Sequence, residues 1–251
     1  MSVINEWVVV VGATGAFGSV MVERFLARGL GVVAVARSES TLQALAAAHP
    51  GLVACVADIG QDSAIAAIRA ALSGRVRMVV HGPGVSVGGG VLNIDTAALV
   101  DAVNIKVGGL LRLVRSVDGH LVTDSRLVAI GGHYGFEPTA YAAAAGVANA
   151  ALVNVVRQLS LAYGERGITA HLVAPGPADT ERLRRVAADR ARLQGTTVEA
   201  VLTSMKAESS INSFTEPGQV AWALEMLLAP EASAMTGSSL MLDAGRRRGL
   251  P

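Results

Sequence analysis

One cysteine, Cys55, stands among 251 residues, which excludes a disulfide framework; it lies in an apolar run and reads as a buried strand residue. An excess of charge is lacking too. Lys and Arg number 21 against 20 Asp and Glu, leaving +1, so neither nucleic acid nor an anionic membrane is an expected partner. The Arg246-Arg247-Arg248 run is the one basic cluster and reads as a solvated tail. No apolar stretch approaches the ~20 uninterrupted residues of a membrane span. The opening Met1-Ser2-Val3-Ile4-Asn5-Glu6 has neither the charged region nor the cleavage site of a secretory leader, so a cytoplasmic location is expected. His49, His120 and His171 are scattered, with no pair at metal-ligand spacing, and no metal is expected. No solenoid-period repeat and no Pro/Ser-rich linker occurs. One domain over residues 1–251 is the expectation.

What the chain does have is apolar residue: 51% of it, enough for one sizeable core. Short apolar runs alternate with helical segments almost to the end. Strands are expected near Trp7–Val11, Gly31–Ala36, Leu52–Val56, Arg77–Val80, Arg126–Ile130, Thr169–Val173 and Ser239–Leu242. Helices are expected near Ala16–Arg28, Ser40–Ala48, Asp62–Leu72, Thr96–Val117, Thr139–Tyr163 and Pro217–Leu228. Such alternation implies an α/β fold, a doubly wound parallel sheet of about seven strands with helices on both faces. The strands are apolar almost throughout, as befits a sheet buried on both sides. Residues 177–216 break the pattern. They are polar, with two short helices expected around Glu181–Leu193 and Thr197–Ala207, and they follow the sixth strand. That position is the ligand-binding edge of an open α/β sheet, which makes 177–216 a candidate substrate lid.

The first strand runs into Gly12-Ala13-Thr14-Gly15-Ala16-Phe17-Gly18, and a helical pattern follows at once. Strand, glycine turn and helix together are the context that a dinucleotide site needs. The glycines let the backbone approach a pyrophosphate, and the helix start offers free N–H groups and a positive dipole end. The second strand ends Ala36-Arg37-Ser38. An acid there would accept from the adenosine ribose and repel a 2′-phosphate. Alanine followed by arginine favours the phosphate instead, because a guanidinium offers it a planar charged fork. The cofactor is therefore expected to be NADP(H), with Thr14 and Ser38 as further polar contacts.

Taken together, these motifs resemble the short-chain dehydrogenase/reductase family over nearly the whole chain. The resemblance rests on Gly12, Gly15 and Gly18, Ala57-Asp58-Ile59, His81-Gly82-Pro83-Gly84, Asn104, Tyr141, Pro175-Gly176 with Thr180, and Thr236-Gly237 followed by Asp243-Ala244-Gly245. It implies strand order 3-2-1-4-5-6-7, and a homo-oligomer, dimer or tetramer, joined through the helices containing Asn104 and Tyr141. It also implies cofactor contacts from Ala16, Phe17, Asp58, Ile59, Gly82, Pro83, Gly84, Tyr141, Pro175, Gly176, Ala178 and Thr180. Single-domain members usually carry the middle glycine one residue later, where Ala16 stands. His81-Gly82-Pro83-Gly84 replaces the family's Asn-Asn-Ala-Gly turn, removing the asparagines that brace the central strands.

The family's chemistry uses a tyrosine, a lysine four residues on, a serine at the preceding strand end and an asparagine in the earlier helix. Tyr141 and Asn104 match. Ala145 stands four residues after Tyr141, on what is expected to be the same helix face, and the strand end reads Ile130-Gly131-Gly132-His133-Tyr134 with no serine. Loss of one oriented donor to an oxyanion typically costs ~10²–10³ in rate, so ordinary alcohol dehydrogenation is not expected. His133, beside the vacated serine, is a candidate donor, its natural pKa near 6.5 suiting proton transfer. Lys106, two residues from Asn104, is expected on another helix face, exposed or in an interface. The expected activity is an NADP(H)-dependent reductase of a small organic substrate, a secondary metabolite among the options, acting on an activated C=N, C=C or C=O. Two alternatives stay open: a non-redox cyclase, dehydratase or isomerase on the same scaffold, and a non-catalytic nucleotide-binding subunit.

Overall fold

The computed structural model describes residues 5–86 and 89–249; residues 1–4, part of the stretch examined for a leader, lie outside them. The β-branched run after Asn5 forms β1 (Glu6–Val11), and Gly31–Ala36, Leu52–Val56 and Arg75–His81 form β2, β3 and β4. Leu121–Ile130, Thr169–Pro175 and Ser239–Leu242 are β5, β6 and β7. All pair in parallel, in the order β3-β2-β1-β4-β5-β6-β7. Seven parallel strands between helices are the expected doubly wound fold.

Alternate strand residues divide the core in two. Val8, Val10, Val32, Ala34, Met78 and Val80 meet α1 (Ala16–Ala27), α2 (Glu39–Ala48) and α9 (Pro217–Met226) on one face. Val9, Val11, Val33, Val35 and Val79 meet α3 (Ser63–Ala70), α5 (Gly109–Val117) and α6 (Ala143–Tyr163) on the other. A third cluster joins α7 (Glu181–Gln194) to α8 (Val198–Ala207) within the 177–216 segment, through Leu183, Ala187, Ala191, Val201, Met205 and Phe214. No helix among the described residues is long and apolar enough to cross a membrane.

Four local expectations are corrected. Strand β5 starts at Leu121 rather than Arg126, because Leu121 already pairs with Val76 and the polar stretch Thr123–Ser125 is taken up in an irregularity before Arg126 pairs with Met78. Ser125 Oγ, buried, donates to Val76 O and accepts from Val122 N. The single helix expected over Thr96–Val117 is α4 (Thr96–Val103), a π-helical turn (Asn104–Gly108) and α5. Helix α6 begins at Ala143, so Tyr141 lies in the turn before it and shares no helix face with Ala145. The arginine run is not a free tail. Arg246 is 8% exposed and donates to Met205 O and to Glu208, while Glu137 Oε1 accepts from the backbone N–H groups of Arg248 and Gly249.

Candidate active site

At the end of β1 the backbone turns at Gly12, whose φ of +84° belongs to the left-handed region that glycine enters freely. Gly12 N and Ala13 N both donate to Val35 O, which pins the turn to β2. A Cβ on Gly18 would stand 2.2 Å from Gly12 O, so only glycine lets α1 start this close to the strand. Gly15 is the N-cap, no side chain caps the helix, and its first turn holds no acid. By contrast α2, α4, α7 and α8 are capped by Ser38, Asp95, Thr180 and Thr197. The free N–H groups of α1, flanked by exposed Thr14, Gly15 and Ala16, fit an anionic group such as a pyrophosphate.

Arg37 stands exposed just beyond β2, with no hydrogen bond or ion pair among the described residues. Ser38 is the α2 cap, its Oγ accepting from Thr41 N at 3.4 Å and lying 3.2 Å from Ser40 Oγ. Asp58 is exposed and accepts from Gly60 N at 3.0 Å; Ile59 beside it is 5% exposed. Gly82 N donates to Val11 O, and a Cβ there would meet that oxygen at 2.9 Å, so β1 and the turn after β4 touch through glycine. His81 takes up the bracing lost with the asparagines. Its Nε2 donates to Ile105 O at 3.0 Å, tying β4 to the π turn, and burial drives its pKa down to about 3.

At the far end, Gly176 N donates to Leu242 O, and Asp243 Cα stands 2.9 Å from where a Gly176 Cβ would be. Pro175 closes β6, Ala178 bridges to Thr215, and Thr180 Oγ1 accepts from Leu183 N at 3.4 Å. Helix α7 then returns over the site. The Arg182 guanidinium donates to Val85 O and lies against Gly84, next to Pro83.

Tyr141 is 39% exposed, and its Oη is 2.6 Å from Tyr134 Oη. The Arg190 guanidinium, from α7, lies 4.6 Å from the Tyr141 ring centroid. Burial, then the bond to Tyr141, hold Tyr134 well above the usual phenol range, so Tyr134 keeps its proton. His133 packs on Tyr134 with ring centroids 4.0 Å apart and is 6% exposed. Burial and Arg246 push its pKa down to about 4, so it is neutral at pH 7 rather than poised near 6.5. Both ends of the Asn104 amide are engaged: Nδ2 donates to Gly60 O and Oδ1 accepts from Arg112 Nη1, each at 3.0 Å.

Two residues gain importance in three dimensions. Lys106, expected to be exposed or in an interface, is 3% exposed, with Nζ donating to Ile130 O at 2.7 Å. The π turn explains the difference: five residues per hydrogen-bonded turn alter the helical phase and swing position 106 inward. Burial, then Arg182, push its pKa down to about 7. Asn149 went unnoticed in the sequence. It is 5% exposed, its Nδ2 lies 3.0 Å from where a Gly132 Cβ would be, and its Oδ1 has no partner among the described residues. Of the α6 side chains, this amide is the polar one that adjoins the vacated serine position. Its spacing from Ala145 equals the tyrosine–lysine interval, a signal that the nearer Tyr141 obscured.

A family model described as enoyl-(acyl carrier protein) reductase matches residues 12–247. The short-chain reductase protein NovJ of Streptomyces niveus is 26% identical over 94% of this chain and 92% of its own. A putative ketoacyl reductase of the monensin polyketide synthase from Streptomyces virginiae is 26% identical over 94% and 95%. An NADPH-bound short-chain oxidoreductase of Pseudomonas aeruginosa, described as containing an atypical catalytic center, superposes with a TM-score of 0.85. It is 23% identical and covers 97% of each chain.

Proposed function

The chain belongs to the short-chain dehydrogenase/reductase family of oxidoreductases, and from that premise we propose an NADP(H)-dependent reductase of an activated C=N, C=C or C=O in a small organic substrate. The observation that carries the cofactor is Arg37: exposed, unpartnered among the described residues, and placed beyond the uncapped glycine turn with no acid at Ala36. The NADPH held by the Pseudomonas aeruginosa protein supports the same reading. An Arg–phosphate contact contributes about 1.5–3 kcal/mol, so Arg37→Ala should weaken NADPH binding by about 10–100-fold and leave NADH binding nearly unchanged. Fluorescence titration with both nucleotides measures this; equal losses for the two would remove Arg37 from 2′-phosphate recognition.

When bound, NADPH supplies the hydride. The chain's own part is to hold the acceptor and provide a proton. Tyr134 keeps its proton, and when it donates to Tyr141 Oη the Tyr141 proton is free for a substrate oxygen or nitrogen. The Arg190 guanidinium covers one face of the Tyr141 ring. The 177–216 segment acts as the lid in this reading, since α7 brings Arg182 to Gly84 and Val85 and Arg190 to Tyr141. Polyketide-like carbonyl compounds lead the substrate candidates, in keeping with the monensin relative. The proposed homo-oligomer would cover Val100, Val147 and Leu161, which are 67%, 50% and 68% exposed on α4 and α6.

The deciding experiment follows NADPH absorbance with imines, enones and β-ketoacyl compounds. Consumption with one class establishes the reductase. Nucleotide that binds but is consumed with none turns the assignment to non-redox chemistry. Tyr141→Phe should lower kcat by about 10²-fold, the usual loss for one oriented donor, and an unchanged kcat would exclude Tyr141 as that donor.

A further inference from the structure

A lysine enclosed in protein normally sits against a carboxylate. Lys106 has none within ion-pair distance among the described residues, and its Nζ is accounted for only by Ile130 O. An ammonium carries three donors, so two are unassigned. The titratable and charged groups that face it are His81, neutral, from β4 and Arg182, of like charge, from α7. Nothing here rewards a cation structurally. Its position is set by a π turn, a feature that recurs at functional sites.

The surroundings point to a ligand. His81 pairs with Ala129 in the β4–β5 register, and Ile130 follows, so the amine lies between the carboxyl ends of two central strands. That crevice is where open α/β sheets bind their ligands. Asn149 reaches the same strand end from α6 and carries an unpartnered, enclosed acceptor.

We propose that Lys106 and Asn149, reaching from different helices to the ends of β4 and β5, together anchor the nicotinamide ribose. This rests on the NADP(H) reading above. Nζ donates to ribose hydroxyl oxygens, and Asn149 Oδ1 accepts from a ribose hydroxyl. Donation by the ammonium favours the charged form, so bound cofactor raises the Lys106 pKa. Affinity then falls as pH rises above about 7, the value in the free protein.

The test is equilibrium titration of the full chain with NADPH and with adenosine 2′,5′-bisphosphate, which lacks the nicotinamide ribose, from pH 6 to 9. Lys106→Met should weaken NADPH about tenfold at pH 6, lose the pH dependence, and leave the bisphosphate unchanged. Lys106→Arg should keep the affinity and hold it to pH 9. Asn149→Leu should weaken NADPH several-fold, on the order of one hydrogen bond, without moving the pH midpoint. Thermal unfolding confirms that each variant folds; if Lys106→Met does not, Lys106→Arg and Asn149→Leu decide. Unchanged NADPH binding in the variants, or equal losses for both ligands, overturns the assignment. Wild-type protein that binds no nicotinamide nucleotide overturns the cofactor reading itself, a separate and distinguishable failure.

Discussion

Lowering the pH from 7 to 5 is expected to remove roughly 5 kcal/mol of stability, a large share of what a folded domain holds. The source is three histidines buried without charge: His81 and His171 are fully enclosed and His133 is 6% exposed. Burial drives His81 to about 3 and His133 and His171 to about 4, with Lys106, Arg246 and Arg126 adding to the effect in turn. Unfolded, each returns to about 6.5. As pH falls below that value the unfolded chain takes up protons that the folded chain refuses. The histidine contribution is therefore nearly complete above about 6.5 and lost progressively down to the folded values, at about 1.4 kcal/mol per pH unit for each histidine. Lys106, lowered to about 7, extends the same slope upward, so stability should still be rising between pH 7 and 9. Urea denaturation at pH 5, 6, 7 and 8 reads this directly. A midpoint that does not move between pH 7 and 5 would show that the three rings become charged without disrupting the fold.

Arg126→Ala should destabilise the protein by about 3–5 kcal/mol, the usual result of removing one member of a buried polar set. The side chain is fully buried. Its Nε donates to Leu227 O at 2.8 Å and its Nη2 to Ala229 O at 3.2 Å, with Asp124 Oδ1 3.9 Å away. These carbonyls lie just past the end of α9, where helix carbonyls lack intrahelical donors and a cation suits the dipole. Alanine would leave Leu227 O without its donor, leave Ala229 O with Ala232 N alone, and open a cavity under β5. Arg126→Met refills the volume but not the donors, and should cost less than alanine. Comparison of the two in urea separates packing from hydrogen bonding; equal losses would assign the effect to the donors alone.

The fold was legible in this sequence because it is written in long, redundant signals. Val8 to Val11, Val32 to Val35 and Val79 to Val80 are apolar on both faces, and each is followed by a helix-length segment. The cofactor turn was legible for another reason: Gly12 and Gly18 answer backbone demands that only glycine meets. The chemistry depended on phase, and phase is where reading from sequence is weakest. Lys106 appeared to face outward because a regular helix was assumed through Asn104–Gly108. Tyr141 drew attention as the only tyrosine near the helix start, but α6 begins two residues later and places Asn149 against the Gly132 strand end. His133 reads as an acid–base candidate because nothing in its neighbours foretells its burial, or the charge of Arg246, more than a hundred residues away, which adds to the lowering.

The π turn at Asn104–Gly108 also makes the amine's placement a matter of chain length rather than of residue identity. A π turn holds one more residue than the α-helical turn it interrupts. Deleting a residue within it would let α4 and α5 merge into one regular helix of native geometry, so the loss should fold well. The flanks would keep their faces against the core, because a π turn absorbs its extra residue locally, and only the side chains of the turn itself would change direction. The deletion would carry the lysine out of the strand crevice while leaving its chemistry intact. A chain of this kind can therefore acquire or discard a buried amine through a single-codon insertion or deletion, with no exchange of one amino acid for another.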